Sequence, residues 1–223
     1  MSTNPAANMP TRIQQNFLAR HERRLLNWIC PRLPAWTTPD QLTTLGFLGA
    51  VMVAAGYVLS WIDDEWLGLA LVGYIVNWFG DSLDGSLARW RRIERPNYGY
   101  FVDHSVDAVA TLLMVGAIGM SPYLRLDVAL MAVIGYFLLS IHTFIAAKVV
   151  GEFRLSYMAG GPTELRLMLM AMTMAMPLIG GGDVLGTNFS AFDLFGLVVA
   201  SILVTLFIIQ SFATARMLRA RGA

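Results

Sequence analysis

Four carboxylates and one guanidinium stand close together between two long apolar runs of the sequence. The carboxylates are Asp81, Asp84, Asp103 and Asp107, and Arg89 lies between the two pairs. A charged group at membrane depth is unfavourable by several kcal/mol unless it is paired or bound, so ionisable side chains there indicate function. Because positions three or four apart share one face of a helix, each aspartate pair projects from a single stripe. Two facing helices would bring the four carboxylates together, and this predicts a cation site.

Such a cluster suits divalent cations, which can activate phosphoryl groups. Hard oxygen ligands favour Mg²⁺ or Mn²⁺, and the sequence lacks a set of Cys and His residues suited to zinc. Two divalent ions would offset four carboxylates, polarise phosphoryl oxygens and stabilise a leaving group.

The composition places the elements that hold this cluster in a membrane. Of 223 residues, 56% are hydrophobic and 14% are charged, and the mean hydropathy is +0.57. These values exclude an ordinary soluble domain. The net charge of +1 argues against a nucleic-acid partner, and the single Cys30 excludes a disulfide framework.

Six apolar segments approach the ~20 residues that cross ~30 Å of hydrocarbon. They are Gln41 to Trp61, Trp66 to Trp90, Gly99 to Met120, Leu126 to Val150, Thr163 to Ile179 and Phe192 to Leu218. We expect an all-α membrane protein in which residues 33–223 form a domain of six transmembrane helices. The aspartates lie at the ends of the second and third segments, so the second helix must end in a polar cavity.

Residues 1–32 form the N-terminal tail and a juxtamembrane helix in this prediction. From Thr11 to Cys30, apolar side chains recur on one side of a helix and four arginines lie on the other. The pattern fits an amphipathic helix in the membrane interface, with its arginines near anionic headgroups. The alternative is a helix packed on the cytoplasmic end of the bundle. Both interpretations place this helix beside the aspartates.

Basic residues predict the orientation. With six spans both termini share one side, and of the 16 Lys and Arg residues only Arg125 falls in a loop on the other side. Because cytoplasmic loops carry an excess of Lys and Arg, both termini and the aspartate cluster are expected to face the cytoplasm.

The motif resembles that of a known family. The pattern D-x2-D-G-x2-A-R-x9-G-x3-D-x3-D, from Asp81 to Asp107, is similar to the signature of the CDP-alcohol phosphotransferases, and all eight fixed positions are present. These are six-helix membrane enzymes of phospholipid synthesis, and the resemblance extends from about Leu33 to Arg216. It implies that a hydroxyl attacks the β-phosphorus of a CDP-alcohol, forming a phosphodiester lipid and releasing CMP.

The resemblance also implies roles for the aspartates. Asp81, Asp84 and Asp103 would be metal ligands for two Mg²⁺ or Mn²⁺ ions, and Asp107 would be a ligand or the general base.

Four further residues of the motif would contact the nucleotide together with Asp81. Gly85, Ala88 and Gly99 are small where the nucleotide approaches the backbone, and Arg89 could pair with phosphate. For Arg89 the alternative is an interfacial arginine that only serves topology.

Two features bear on the substrates, and they disagree. Three segments resemble the choline/ethanolamine branch of the family: Asp103 to Asp107, which contains His104, Gly151 to Arg154, and Thr163-Glu164. In that branch the donor is a CDP-aminoalcohol and the acceptor is a lipid hydroxyl. We lean to this branch, in which His104 is a candidate proton acceptor, unless its ring merely packs. Many small members instead use CDP-diacylglycerol with a small polar acceptor. Three basic residues could bind a phosphorylated acceptor: Lys148, Arg154 and Arg166.

Other readings stay open. A cation carrier or a non-catalytic scaffold would also place carboxylates in a membrane, but a carrier needs polar groups that continue to the far side. The second segment is instead apolar before Asp81, from Leu71 to Val76, and the third is mostly apolar after Asp107, from Ala110 to Leu113. The segment Thr37 to Thr43 resembles the family's opening of the first helix, with Asp40 in place of the usual Asn, and we expect Asp40 to cap that helix. A homodimer could use the methionine-rich stretch Met168 to Met176.

Overall fold

The computed structural model describes residues 11–13, 17–150, 152–154, 162–184 and 186–222. Helices dominate this part of the chain. The α-helices are α1 (Phe17–Ile29), α2 (Pro39–Leu59), α3 (Leu67–Arg91), α4 (Pro96–Gly119), α5 (Leu126–Val150), α6 (Pro162–Ile179) and α7 (Ala191–Ala220). Short 3-10 helices occur at Cys30–Arg32 and Asp64–Trp66, and the strands β1 (Thr11–Ile13) and β2 (Glu152–Arg154) pair in parallel. Apart from this three-residue strand pair, the described residues confirm the all-α expectation.

Each of the six predicted segments coincides with one of the helices α2 to α7, and the bounds agree within three residues. Four of the described helices, α2, α4, α5 and α7, are long and apolar enough to cross a membrane. These four helices indicate an integral membrane protein. Helices α3 and α6 are less apolar because each carries charged side chains within its length. The crossing of the membrane by six helices therefore stays a prediction.

Helix α2 begins with a capping box, but the capping residue is not the one expected. The Thr38 hydroxyl accepts a hydrogen bond from the Gln41 backbone N–H (3.2 Å), and the Gln41 side chain accepts from the Thr38 N–H (2.9 Å). The prediction that Asp40 caps this helix was wrong. Asp40 lies in the first turn, and its two carboxylate oxygens accept from Arg95 at 2.7 and 2.8 Å, which ties the start of α2 to the start of α4.

Helices α2 and α3 run antiparallel with their backbones in direct contact. A Cβ placed on Gly49 would lie 2.3 Å from the Asn77 backbone nitrogen, and one on Gly80 would lie 2.3 Å from the Gly46 nitrogen. Neither position has room for a side chain, since atoms this close overlap. We call Gly46, Gly49, Gly73 and Gly80 the glycine seam. The seam holds the end of α3, where the motif begins, against α2.

Helix α1 packs on the bundle next to that end of α3. Leu26 and Cys30 are buried in a small apolar cluster with Leu42, Leu83 and Leu87. The helix begins at Phe17, later than the predicted Thr11. These contacts support the packed interpretation of α1, and a position in the membrane interface stays a prediction.

Helix α6 is attached to α2 and α3 through polar side chains. The buried Tyr57 hydroxyl lies 3.2 Å from the Tyr74 hydroxyl and also contacts the hydroxyl of Thr173 on α6. The methionines of α6 do not share one exposed face, since Met174 is 62% exposed whereas Met176 is fully buried. The proposed dimer surface therefore gains no support from this helix.

Candidate active site

Three of the four motif carboxylates meet between α3 and α4. Asp81 projects from α3, Asp103 and Asp107 project from α4, and one carboxylate oxygen of each lies within 4.8 Å of the other two. All three residues are half-buried. Three converging hard oxygen donors of this kind suit Mg²⁺ or Mn²⁺, so the residues present fit the expected ion.

The fourth carboxylate is held apart from this group. Asp84 Oδ2 accepts a hydrogen bond from the Thr43 hydroxyl of α2 at 2.6 Å, and no described oxygen of Asp84 belongs to the cluster of three. Thr43 lies on the same small cavity as Asp81, Asp103 and Asp107. The cavity measures about 10 Å³, close to the space of one water-sized sphere. Thr43 belongs to the segment predicted to open the first helix, but nothing in its spacing relates it to Asp84.

Arg166 of α6 contacts two residues of the cavity wall, Asp81 and Asn77. Its Nη2 atom donates to Asp81 Oδ2 at 2.5 Å, and its Nε atom donates to the Asn77 side-chain oxygen at 2.9 Å. Asn77 in turn donates to the Gly46 carbonyl at 3.0 Å, so the arginine is anchored through α3 to α2. The Arg166 side chain is only 13% exposed. A guanidinium this enclosed, beside a carboxylate cluster, can present its remaining N–H groups to an anion.

The other two basic candidates gain no support from the described residues. Lys148 is exposed near the end of α5. The side chain of Arg154 lies outside the described residues.

The motif residues assigned to the nucleotide line a more open surface. Arg89 is exposed, donates to the Ser86 hydroxyl at 3.2 Å, and has its Nη1 atom 3.3 Å from the point where a Cβ on Gly85 would stand. Ala88 is half-exposed, and a Cβ on Gly99 would meet no described atom within 4 Å. The small side chains here therefore leave open space beside the helix backbone, and the packing of the helices does not require them to be small.

His104 lies on a different face of α4 from the cavity lining. Its Nδ1 atom is 2.9 Å from the Tyr100 carbonyl oxygen and 3.5 Å from Asp103 Oδ2. Its ring lies 4.2 Å from the ring of Tyr100 and 5.2 Å from that of Phe144, centroid to centroid. Among the described residues, Asp107 lines the cavity and His104 does not. This geometry favours the packing interpretation of His104.

Arg91, one of the 16 basic residues counted for the predicted orientation, holds the loop that precedes α2. Its guanidinium donates to the carbonyl oxygens of Pro34 (2.8 Å), Ala35 (3.2 Å) and Thr37. Several carbonyls on one guanidinium fix the path of a loop, because its five donors have a rigid geometry. The loop leads directly into the turn that carries Thr43.

Comparisons with known proteins agree on one family. A family model described as CDP-alcohol phosphatidyltransferase matches residues 36–210. An archaetidylinositol phosphate synthase from Pyrococcus horikoshii is 31% identical over 103 residues, which are 46% of this chain and 52% of that protein. A CDP-diacylglycerol–glycerol-3-phosphate 3-phosphatidyltransferase from Cereibacter sphaeroides is 31% identical over 121 residues, 51% of this chain and 52% of that protein. The chain thus spans about half the length of the curated relatives it matches.

Proposed function

This chain belongs to the CDP-alcohol phosphatidyltransferase family, and on that premise we propose that it transfers a lipid-phosphate group from a CDP-linked lipid to a small phosphorylated alcohol, with release of CMP. The name of one relative contains glycerol-3-phosphate, and that of the other contains archaetidylinositol phosphate, a phosphorylated inositol lipid. The expected lean to a CDP-choline or CDP-ethanolamine donor is therefore corrected, since the relatives favour the alternative with CDP-diacylglycerol as donor.

The observation that carries this proposal is the position of Arg166. An acceptor that bears a phosphate needs a cation beside the carboxylates that hold the metal, and Arg166 donates to both Asp81 and Asn77 at the cavity wall. A guanidinium binds phosphate with two parallel hydrogen bonds, which fixes the direction of the attached hydroxyl as well as its affinity. An acceptor without a phosphate, such as a diacylglycerol, offers no anion to the N–H groups of Arg166 that Asp81 and Asn77 leave unused.

The aspartates supply the metal ligands and the base. Asp81, Asp103 and Asp107 would hold one divalent ion, and Asp84, steered by Thr43, would contribute to a second. When bound, the ions neutralise the pyrophosphate and stabilise the leaving phosphate oxygen. Asp107 accepts the proton of the acceptor hydroxyl, whose oxygen bonds to the β-phosphorus as the bond from that phosphorus to the CMP oxygen breaks. Asp107 is preferred to His104 as the base because it lines the cavity.

The nucleotide would lie along the open surface beside Gly85, Ala88 and Gly99. The exposed guanidinium of Arg89 is placed to pair with a phosphate of the donor, since its hydrogen bond to Ser86 leaves further N–H groups available. Positive charge here also assists the departure of CMP.

Six helices would cross the membrane, with both termini and the site on the cytoplasmic side. Support comes from the basic residues, of which Arg125 alone lies in a loop at the opposite end of the bundle. The nucleotide of a CDP-linked donor and the whole of a phosphorylated polyol are water-soluble, so a site on the cytoplasmic side would have access to both.

A substrate screen on the full chain in lipid nanodiscs tests this function. CMP release is followed with CDP-diacylglycerol and either glycerol 3-phosphate, inositol phosphate or unphosphorylated glycerol, and in parallel with CDP-choline and diacylglycerol. We expect release only with a phosphorylated acceptor and a divalent ion. Release with CDP-choline and diacylglycerol, or equal rates with glycerol and glycerol 3-phosphate, would contradict the proposal.

Two variants accompany the screen. Asp81→Asn should lower turnover at least ~100-fold, because the ligand also stabilises charge that develops in the transition state. Asp127→Asn is the matched control, since this exposed carboxylate pairs with Arg125 and takes no part in the site. Full activity of the Asp81 variant, or of the unaltered protein in excess chelator, would refute the metal assignment.

A further inference from the structure

We infer that Glu22 of α1 is a positioning residue of this site: it fixes the start of α6 against α3 and so determines where the Arg166 guanidinium stands. The inference deepens the proposed function, because it rests on Arg166 as the group that binds the acceptor phosphate. It assigns a role in specificity to a helix that precedes the motif by about sixty residues (from Glu22 to Asp81).

One carboxylate joins three helices. Glu22 Oε1 accepts from the Trp78 indole N–H at 2.7 Å and from the Ser82 hydroxyl at 3.0 Å, both on α3. Its Oε2 atom accepts from the Thr163 hydroxyl of α6 at 3.0 Å. Glu22 is half-buried, and a carboxylate withdrawn from water is stable only where donors replace its hydration, as these three do.

The α6 end of this junction lies one turn from Arg166. Thr163 and Arg166 are three residues apart, and Thr173 follows seven residues later, so the three side chains share one face of the helix. Each makes a polar contact to a different part of the bundle: Thr163 to Glu22, Arg166 to Asp81, and Thr173 to Tyr57. The register of α6 is therefore set by hydrogen bonds at three heights.

The α3 end of the junction lies beside the metal ligands. Glu22 binds Trp78 and Ser82, each of which directly follows a residue that Arg166 contacts, Asn77 or Asp81. The two side chains therefore bind adjacent faces of α3. Loss of the Thr163 contact frees the first turn of α6 from α1. A displacement of the guanidinium by about 1 Å is enough to impair the alignment of a bound substrate.

Kinetics with a phosphorylated acceptor test this role. Glu22→Ala and Thr163→Val should each raise KM for the acceptor about tenfold, while the donor KM and kcat change less than about threefold. The double variant should match Glu22→Ala, because both substitutions break the same contact. Glu22→Gln should remain within about threefold of the unaltered enzyme, since its amide oxygen can accept from Trp78 and Ser82 and its NH₂ can donate to the Thr163 hydroxyl. Glu65→Ala, at an exposed position of the short 3-10 helix Asp64–Trp66, is the control.

A distance measurement separates this inference from the proposed function. Spin labels at Val72 of α3 and Leu167 of α6, each 49% exposed, report the position of α6 in a Cys30→Ala background without any substrate. The distance distribution should shift or broaden in the Glu22→Ala and Thr163→Val proteins and stay unchanged in the Glu22→Gln and Glu65→Ala proteins. Unchanged distances in Glu22→Ala, additive effects in the double variant, or equal losses for donor and acceptor would each overturn the inference. If no acceptor is turned over by the unaltered protein, the proposed function fails and the distances still decide the role of Glu22.

Discussion

Replacing Thr43 by valine removes one hydroxyl and keeps the shape of the side chain. That hydroxyl donates to Asp84 Oδ2 at 2.6 Å, so the variant leaves a partly buried carboxylate oxygen without its donor from α2. A hydrogen bond to a charged group contributes about 1.5–3 kcal/mol, which corresponds to roughly 10- to 150-fold in an equilibrium constant. If Asp84 holds an ion, this loss should appear as a weaker apparent affinity for Mg²⁺, in the range of about 10- to 100-fold that is typical for a group supporting a ligand.

The assay is the initial rate of CMP release over a range of Mg²⁺ concentrations. We expect Thr43→Val to require more Mg²⁺ for half-maximal rate and to recover most of its kcat when the ion is saturating, whereas Thr43→Ser, which keeps the hydroxyl, should behave as the unaltered enzyme. Thr44→Val is the neighbouring control, because the Thr44 hydroxyl donates only to the Asp40 carbonyl within its own helix (2.9 Å). The reasoning fails if the Thr43 and Thr44 variants have the same Mg²⁺ dependence.

The remaining predictions concern packing, the base and topology. Gly49→Ala should lower the free energy of unfolding by about 1–3 kcal/mol, and with it the melting temperature, because the added methyl overlaps the α3 backbone. Gly68→Ala should be neutral, since no atom lies within 4 Å of the added methyl, and equal melting temperatures of the two variants would contradict the described packing. His104→Ala should keep kcat within about threefold of the unaltered enzyme and leave its pH profile unchanged, and a loss above about 100-fold would restore His104 as the base. A cysteine at Asp64 should react with an impermeant reagent on intact cells and one at Gly222 should not, in a cysteine-free background; the reverse pattern would invert the topology.

The helices could be predicted from the sequence because their signals are local. Hydrophobic length alone placed Leu126 to Val150, and the motif spacing placed Asp81, Asp103 and Asp107 on facing helices. The expected cap of α2 was assigned to Asp40 instead of Thr38, because both residues are good caps and only the paired contact with Gln41 distinguishes them.

Contacts between distant parts of the chain had no such signal. The hydrogen bonds of Arg166 to Asp81 and of Glu22 to Thr163 join residues separated by 85 and 141 positions. The sequence offered Arg166 as a candidate for binding phosphate but predicted no partner for it, and it indicated no role for Glu22, since a single sequence does not state which partner a long side chain will meet. Arg91 is a similar case, because its carbonyl partners belong to a loop without regular structure.

The glycine seam has a consequence for how the chain is built into a bilayer. Helix α3 does not reach the apolarity of a spanning helix by itself, yet the contacts of Gly49 and Gly80 show that it runs beside α2, which does. A backbone pressed against a neighbouring helix is shielded from lipid, and small residues allow that approach. We therefore expect α2 and α3 to be inserted together as a hairpin during synthesis, so that a bulky residue in the seam would impair biogenesis before it could affect catalysis.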